Sequence, residues 1–330
     1  MKVFVSGATG FIGIQLVKRL AATGHTVHAL YRSESKADLI RLPGVRLFKG
    51  DILDKESLDL ALADCEEAYH TAAFAGVWSR EADLVYRLNV DGAMNVIESA
   101  GRNGLRRVVL TSTAGILGPS TGEAVHEGSP DPLSFFTDYE ASKFQLEQKL
   151  LGRKKSDPEV VIVNPTRVYG PGYLSESNGV TRMIRQYMAG RWRFIPGNGK
   201  SSGNYVHVED VVTGHLLAME KGRPGERYIL GGENISYLQL FEYVREASGV
   251  GPRLFKIPLW SMLTASAFMA GLSKITGRPP LIVPNLVRKF NHNWIVSSAK
   301  AINELGYSPM GASEGIERTV GWIKSNQKIK

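Results

Sequence analysis

A chain of 330 residues with 43% hydrophobic and 22% charged residues can bury a full core without staples, and it suits one large domain plus a smaller one. Its single cysteine, Cys65, excludes an internal disulfide and a cysteine-ligated zinc site, suits a reducing compartment, and reads as a small buried apolar group. Lys and Arg outnumber Asp and Glu by 40 to 32, which admits nucleic acid, a membrane surface or an anionic small ligand. The basic residues read as scattered, however. Their densest runs, GRKK at 152–155 and RMIRQYMAGRWRF at 182–194, are short and suit a solvated surface. A phosphorylated cofactor accounts for part of the excess without nucleic acid.

In chain order, KVFVSG (2–7) reads as a strand with no secretory signal before it, and GFIGIQLVKRLAATG (10–24) as a helix. HTVHALYR (25–32) and VRLFKGDI (45–52) are strands, KESLDLALAD (55–64) is helical, and CEEAYHTAA (65–73) runs into a strand. VYRLNVDGAMNVIESAGRNG (85–104) reads as one long helix. LRRVVLTST (105–113) is a strand, TDYEASKFQLEQKLLGRK (137–154) a helix and EVVIVNPTRVYG (159–170) a strand. Apolar runs of four to six residues alternating with longer helices predict a parallel sheet covered on both faces. The fold class expected is α/β: a doubly wound Rossmann domain over 1–170 with a smaller, mostly helical lobe over 171–330.

Within that second region NYVHV and ERYILGG read as short strands, so a segment near 204–230 is expected to return to the first domain. Helices are predicted near 179–190, 208–221, 236–249, 259–276 and 312–325, with prolines marking the connections. IPLWSMLTASAFMAGLSKITG (257–277) is too short and too broken by Ser, Thr and Lys for a membrane span. It reads as a buried or half-buried helix. Trp260 and Lys274 at its ends keep an interfacial helix open.

GATGFIG (7–13) lies directly after a strand and before an amphipathic helix, the setting that gives a glycine motif its meaning. Gly7 supplies positive φ for the turn. Gly10 leaves the backbone open to a pyrophosphate, and Gly13 lets helix and sheet pack closely. Thr9, Phe11 and Ile12 complete the loop, whose helix end offers unpaired amides and partial positive charge. The second strand ends in Tyr31-Arg32, where a site for NAD usually has an acidic residue. Arg32, with Lys36 beyond it, predicts a 2′-phosphate and hence NADP(H), while Glu34 keeps NAD(H) open. Asp51, with Ile52 beside it, falls at the carboxyl edge of the sheet, placed to accept from an adenine amino group.

Tyr139 and Lys143 are four apart on a predicted helix and share a face. A hydride carrier reducing a carbonyl needs a proton donor at the oxygen. A free phenol, with pKa near 10, is too weak an acid for this at neutral pH. An ammonium held beside it lowers that value, and the same ammonium suits the ribose hydroxyls of a nicotinamide. Thr111, Ser112 and Thr113 in TST offer the hydroxyl that fixes the substrate oxygen.

These two motifs, with HTAAFA (70–75), NVDGAMNV (89–96), NPTRVYGPG (164–172) and NYVHVEDVVTGHLLA (204–218), resemble the extended short-chain dehydrogenase/reductases, the NAD-dependent epimerase/dehydratase superfamily, over most of the chain. The resemblance implies a Rossmann domain, a nicotinamide cofactor, a catalytic triad of Thr113, Tyr139 and Lys143, and cofactor contacts at Thr71, Ala72 and Ala73. It also implies backbone contacts to the nicotinamide amide from Pro165 and Val168, and pairing of two chains as a homodimer. No metal is called for.

For substrate, two classes compete. Carbonyl reductases similar to dihydroflavonol 4-reductases and 3-beta-hydroxysteroid dehydrogenases are expected ahead of nucleotide-sugar epimerases and dehydratases. Sugar-nucleotide enzymes typically carry a basic residue just before the YVHV strand to grip the diphosphate, and here Gly203-Asn204 is uncharged. Dehydratases tend to carry an acidic pair in the hydroxyl-bearing loop, and TSTAGILG has none. The apolar C-terminal lobe suits a hydrophobic ketone or aldehyde. The expectation is therefore a cytoplasmic NADP(H)-dependent reductase, with a non-catalytic dinucleotide-binding scaffold as a further alternative.

Overall fold

The computed structural model describes residues 1–76, 82–151, 158–276, 280 and 282–326. Twelve strands are described: β1 (Lys2–Ser6), β2 (Thr26–Tyr31), β3 (Val45–Lys49), β4 (Glu67–His70), β5 (Arg107–Thr111), β6 (Glu159–Pro165), β7 (Arg167–Tyr169), β8 (Phe194–Pro196), β9 (Ser202–His207), β10 (Arg227–Leu230), β11 (Glu233–Ser236) and β12 (Phe255–Ile257). Seven make one parallel sheet in the order β10-β6-β5-β4-β1-β2-β3. The order reverses between β1 and β4, which opens a crevice at the carboxyl ends of those strands.

Alternation along each strand sends neighbouring side chains to opposite faces. Val3 and Val5 pack with Leu16, Leu20 and Val211 on one face. Phe4 packs with Leu58, Val96 and Leu146 on the other. Helices Phe11–Ala22 and Val208–Lys221 cover the first face, and Lys55–Leu62, Gly92–Arg102 and Asp138–Leu150 cover the second. Cys65 is buried within the second face. The α/β doubly wound domain with a smaller helical lobe is what the structure shows. β10 pairs with β6, so a strand from the second half of the chain forms one edge of the main sheet.

The second region packs a core of Tyr187, Phe241, Val244 and Ile316 against Tyr169 of β7, and β7 joins its strands in a three-stranded sheet β11-β9-β7 beside a β12-β8 pair. Two expected elements come out differently. The long helix over 85–104 widens to a π-turn at Arg87–Asp91, which lets the Asn89 side chain reach the loop after β4. The strand over 159–170 divides at Thr166, because β6 continues into the main sheet while β7 pairs with β9. The helix expected over 137–154 is described as far as Leu150, and the GRKK run lies outside the described residues. Among the described residues, no helix is long and apolar enough to cross a membrane.

Candidate active site

The glycine loop is built by close contact. Gly7 has φ +69°, and a Cβ there would lie 2.5 Å from the Ala72 amide nitrogen. A Cβ on Gly13 would lie 2.1 Å from the Gly7 carbonyl oxygen, so the helix packs on the turn at a distance that glycine alone allows. Gly10 is the N-cap of helix Phe11–Ala22, with no side-chain cap and no acidic residue in the first turn. The first amides of that helix therefore have no intrahelical acceptor. A cradle of free amides beside three side-chain-free positions fits a pyrophosphate. The loop at 170–173 approaches from above: Gln15 Nε2 donates to the Pro171 carbonyl at 3.0 Å, and Gly172 lies against Gln15 and Phe11.

The adenine end differs from expectation. Arg32 Nη1 lies 3.5 Å from Asp51 Oδ2, and Asp51 Oδ1 accepts from the Leu53 amide at 2.9 Å. Lys36 sits over the Tyr173 ring, 5.3 Å from its centroid, and Lys49 pairs with Glu34 at 3.3 Å. The cations expected to hold a 2′-phosphate thus already face carboxylates or an aromatic ring. Ile52 packs on Gly92, where a Cβ would come within 2.6 Å of its Cδ1.

Beyond β4, Thr71 Oγ1 donates to the Ser6 carbonyl at 2.9 Å, and the Ala72 backbone abuts Gly7. Ala73 follows, and the next residue, Phe74, is held by Asn89: its amide donates to Asn89 Oδ1 at 2.7 Å, and Asn89 Nδ2 donates to its carbonyl at 3.2 Å. Asn89 Nδ2 also reaches Ser142 Oγ at 2.9 Å, and Ser142 donates to the Tyr139 carbonyl. One amide therefore fixes the loop after β4 against the helix that carries Tyr139. Asn89 opens the NVDGAMNV segment, yet its spacing along the chain gives no sign of this role.

Tyr139 and Thr113 are brought together by a hydrogen bond, and Thr113 Oγ1 accepts from the Gly115 amide at 3.1 Å. Lys143 is 1% exposed and its Nζ donates to the Thr111 carbonyl at 2.9 Å. Burial, with the Glu140 carboxylate second, pushes the Tyr139 phenol up to about 12, against the pull of the Thr113 hydrogen bond. Lys143 is not among the groups that shift the Tyr139 phenol, so the expected acidification of Tyr139 by Lys143 is not seen. The ammonium instead faces Thr111 and Glu147, one turn further along the helix. Burial lowers Lys143 to about 8 and the Glu147 charge opposes that shift.

Glu147 is fully buried and anchors a network. Asn164 Nδ2 donates to Glu147 Oε1 at 2.6 Å and to the Thr113 carbonyl at 3.2 Å, while Arg227 Nη1 lies 3.3 Å from Oε2. Asn164 therefore ties the carboxylate facing Lys143 to the backbone of the hydroxyl residue. His70 Nδ1 lies 2.7 Å from Ser6 Oγ. Burial, aided by the Lys143 charge, pushes His70 down to about 3, so it stays neutral. Glu140 pairs with Lys289, a residue of the C-terminal lobe delivered beside Tyr139.

The uncharged Gly203 also has a partner that sequence reading missed. A Cβ there would lie 2.2 Å from Arg167 Nη1, so the guanidinium from neighbouring β7 occupies the space a side chain at 203 would take. Arg167 donates to Tyr205 Oη at 3.1 Å and lies over the Tyr205 and Tyr237 rings. Pro165 and Val168 flank it on β6 and β7. Gly203 bridges to Trp294, whose ring is 5.8 Å from Phe136, three residues before Tyr139.

The family model described as "NAD dependent epimerase/dehydratase family" matches residues 3–231. The chain belongs to that family. A curated relative, "Sterol demethylase protein B" of Methylococcus capsulatus, is 32% identical, and the match covers 100% of both chains. The solved structure of gox2253 is 30% identical with TM-score 0.83, covering 99% of each chain. The UDP-glucose 4-epimerase of Thermus thermophilus in complex with NAD is 25% identical with TM-score 0.76, covering 98% of this chain and 99% of that one.

Two expectations are corrected by these findings. NADP(H) gives way to NAD, the cofactor in the family's description and in the Thermus complex. The physical reason lies in the pairing of Arg32 with Asp51, which offsets the charge a 2′-phosphate would need. Reduction of a ketone or aldehyde as the primary activity gives way to epimerase/dehydratase chemistry on CH–OH groups. Gly203 itself is uncharged, and β7 places the Arg167 guanidinium beside it. This epimerase/dehydratase family member is an enzyme with a nicotinamide-dinucleotide site at a Rossmann crevice.

Proposed function

We propose that the protein is an NAD-dependent epimerase acting on a nucleotide-linked sugar. The observation that carries this reading is the Arg167 guanidinium seated in the space left by Gly203. It puts a fixed cation, suited to bidentate contact with a phosphate, on the strand that follows Pro165. The similarity to a UDP-glucose 4-epimerase supports the same substrate class. An epimerase is favoured over a dehydratase because TSTAGILG contains no acidic residue.

In this reading Gly7, Thr9, Gly10, Phe11, Ile12 and Gly13 hold the pyrophosphate, Asp51 and Ile52 the adenine end, and Lys143 the nicotinamide ribose. Thr71, Ala72, Ala73, Pro165 and Val168 frame the nicotinamide. The chemistry NAD supplies when bound is a reversible store for one hydride. Tyr139 takes the proton of the sugar hydroxyl as its carbon is oxidised and returns it when the carbon is reduced from the other face. Thr113 holds the same oxygen. With the phenol pushed up to about 12, Tyr139 keeps its proton at neutral pH until positive charge is brought beside it. The burial that raises its pKa also strengthens its response to such a charge.

The test is incubation with NAD and UDP-glucose, following sugar configuration by NMR and NADH by absorbance. The expected outcome is conversion to the epimer without net NADH. Arg167→Met is expected to raise KM about 10- to 100-fold, the range for losing a charged hydrogen bond, with a smaller change in kcat. NADH accumulating in step with substrate loss and no epimer, or an unchanged KM in the variant, would overturn the reading.

A further inference from the structure

The positive charge of the chain is segregated. Between Glu246 and Glu304 lie seven Lys and Arg residues and no acidic one, and between Glu176 and Glu209 lie five and none. These twelve cations exceed the net +8 of the whole chain, so the remainder is net acidic. The fold brings part of each segment together, because β12 pairs in parallel with β8 and sets Phe255 opposite Phe194, while Lys289 and Lys300 pair with Glu140 and Glu226. Both rings are exposed, and Arg191, Arg193, Arg253 and Lys256 around them are exposed too. The Arg253 guanidinium lies 5.6 Å from the Phe255 ring centroid.

Helix Leu259–Thr276 continues directly from this pair, and it exposes large apolar side chains. Ser266 and Ser273 face inward, whereas Trp260 is 71% exposed, Phe268 74% and Leu272 48%. Trp260, Phe268 and Leu272 recur at multiples of four and so run along one side, about 18 Å from first to last. A helix selected for contact with water would turn that side inward.

We propose that this face is a membrane-binding surface: the outer side of helix Leu259–Thr276 and the β8–β12 edge lie in the interface of an anionic lipid bilayer. Trp and Phe suit the headgroup–acyl boundary, and surrounding Lys and Arg suit anionic headgroups. The element lies on the bilayer, since no described helix is long and apolar enough to span one. A second copy of the chain is the weaker occupant. A two-fold interface would bring the same cation-rich segments against each other.

The experiment is co-sedimentation of the full chain with phosphatidylcholine vesicles and with phosphatidylcholine–phosphatidylserine vesicles, alongside its oligomeric state by light scattering. Binding is expected to the mixed vesicles, to be much weaker to the neutral ones, and to fall as salt is raised. The double variants Trp260→Ala/Phe268→Ala and Arg193→Glu/Arg253→Glu each reduce partitioning by roughly tenfold or more. These residues are exposed, so thermal unfolding is expected to match the parent and to exclude misfolding as the cause. No sedimentation with the mixed vesicles, or equal binding to both kinds, would overturn the proposal. So would a dimer that Trp260→Ala/Phe268→Ala converts to monomer while vesicle binding is unchanged.

Discussion

Tyr139→Phe deletes the hydroxyl that meets Thr113 and leaves the ring in place. Turnover is expected to fall about 10²- to 10⁴-fold, the range for a positioned proton carrier, while NAD affinity measured by fluorescence titration stays near the parent value. Loss of NAD binding in that variant would show that the phenol holds the cofactor and does not move a proton. Glu147 acts one step away, through Lys143. Burial holds Lys143 at about 8 against its ordinary 10.5, so below about 8 the folded protein carries a buried ammonium. Between the two values the unfolded chain binds more protons than the folded one, and stability attributable to Lys143 rises with pH across that window. Its charge, which the proposed ribose contact needs, is lost over the same rise. Glu147→Gln removes the carboxylate that holds Lys143 up. The alkaline limb of the activity profile is then expected to move to lower pH, and an unmoved limb would refute the coupling. The same change leaves Arg227 without its buried partner, at a cost of about 3–5 kcal/mol in urea unfolding.

Among the elements, the β1–turn–helix unit depends on backbone contact in which side chains take no part. Gly13→Ala forces a Cβ to 2.1 Å from the Gly7 carbonyl oxygen, so the helix has to move away from the turn. Destabilisation of about 1–3 kcal/mol is expected, together with weaker NAD binding by calorimetry. Full retention of both would show that the turn yields elsewhere. This unit was legible in the sequence because a strand, three glycines and an amphipathic helix are all local signals. The pairing of Tyr139 with Lys143 was legible for the same reason, since helical spacing alone puts them on one face. Their relation was not. Whether an ammonium four residues on turns to the phenol or to a carboxylate is set by Glu147, Asn164 and the Thr111 carbonyl, which come from three elements. The π-turn at Arg87–Asp91 was equally hidden, because the Asn89 it carries bonds Phe74 and Ser142, and Ser142 lies 53 residues away.

Across the molecule, charge and apolar surface are sorted in a way that counting along short windows misses. Runs of four or thirteen residues read as scattered cations, whereas two long acid-free segments meet at the β8–β12 pair. Helix Leu259–Thr276 was placed correctly from its apolar content, yet the side it buries depends on what the lobe offers it. Local pattern was enough for the doubly wound sheet, the strand–glycine turn–helix unit and the placing of Tyr139 and Lys143 on one helix, since each rests on periodicity or on contacts within a few residues. Contacts between distant segments waited on the folded chain. Arg32 meets Asp51 across two strands, Arg167 fills the space beside Gly203 from the adjacent strand, and parts of two acid-free segments meet at the β8–β12 pair. Electrostatic contacts of this kind depend on separation through space, and spacing along the chain does not report it.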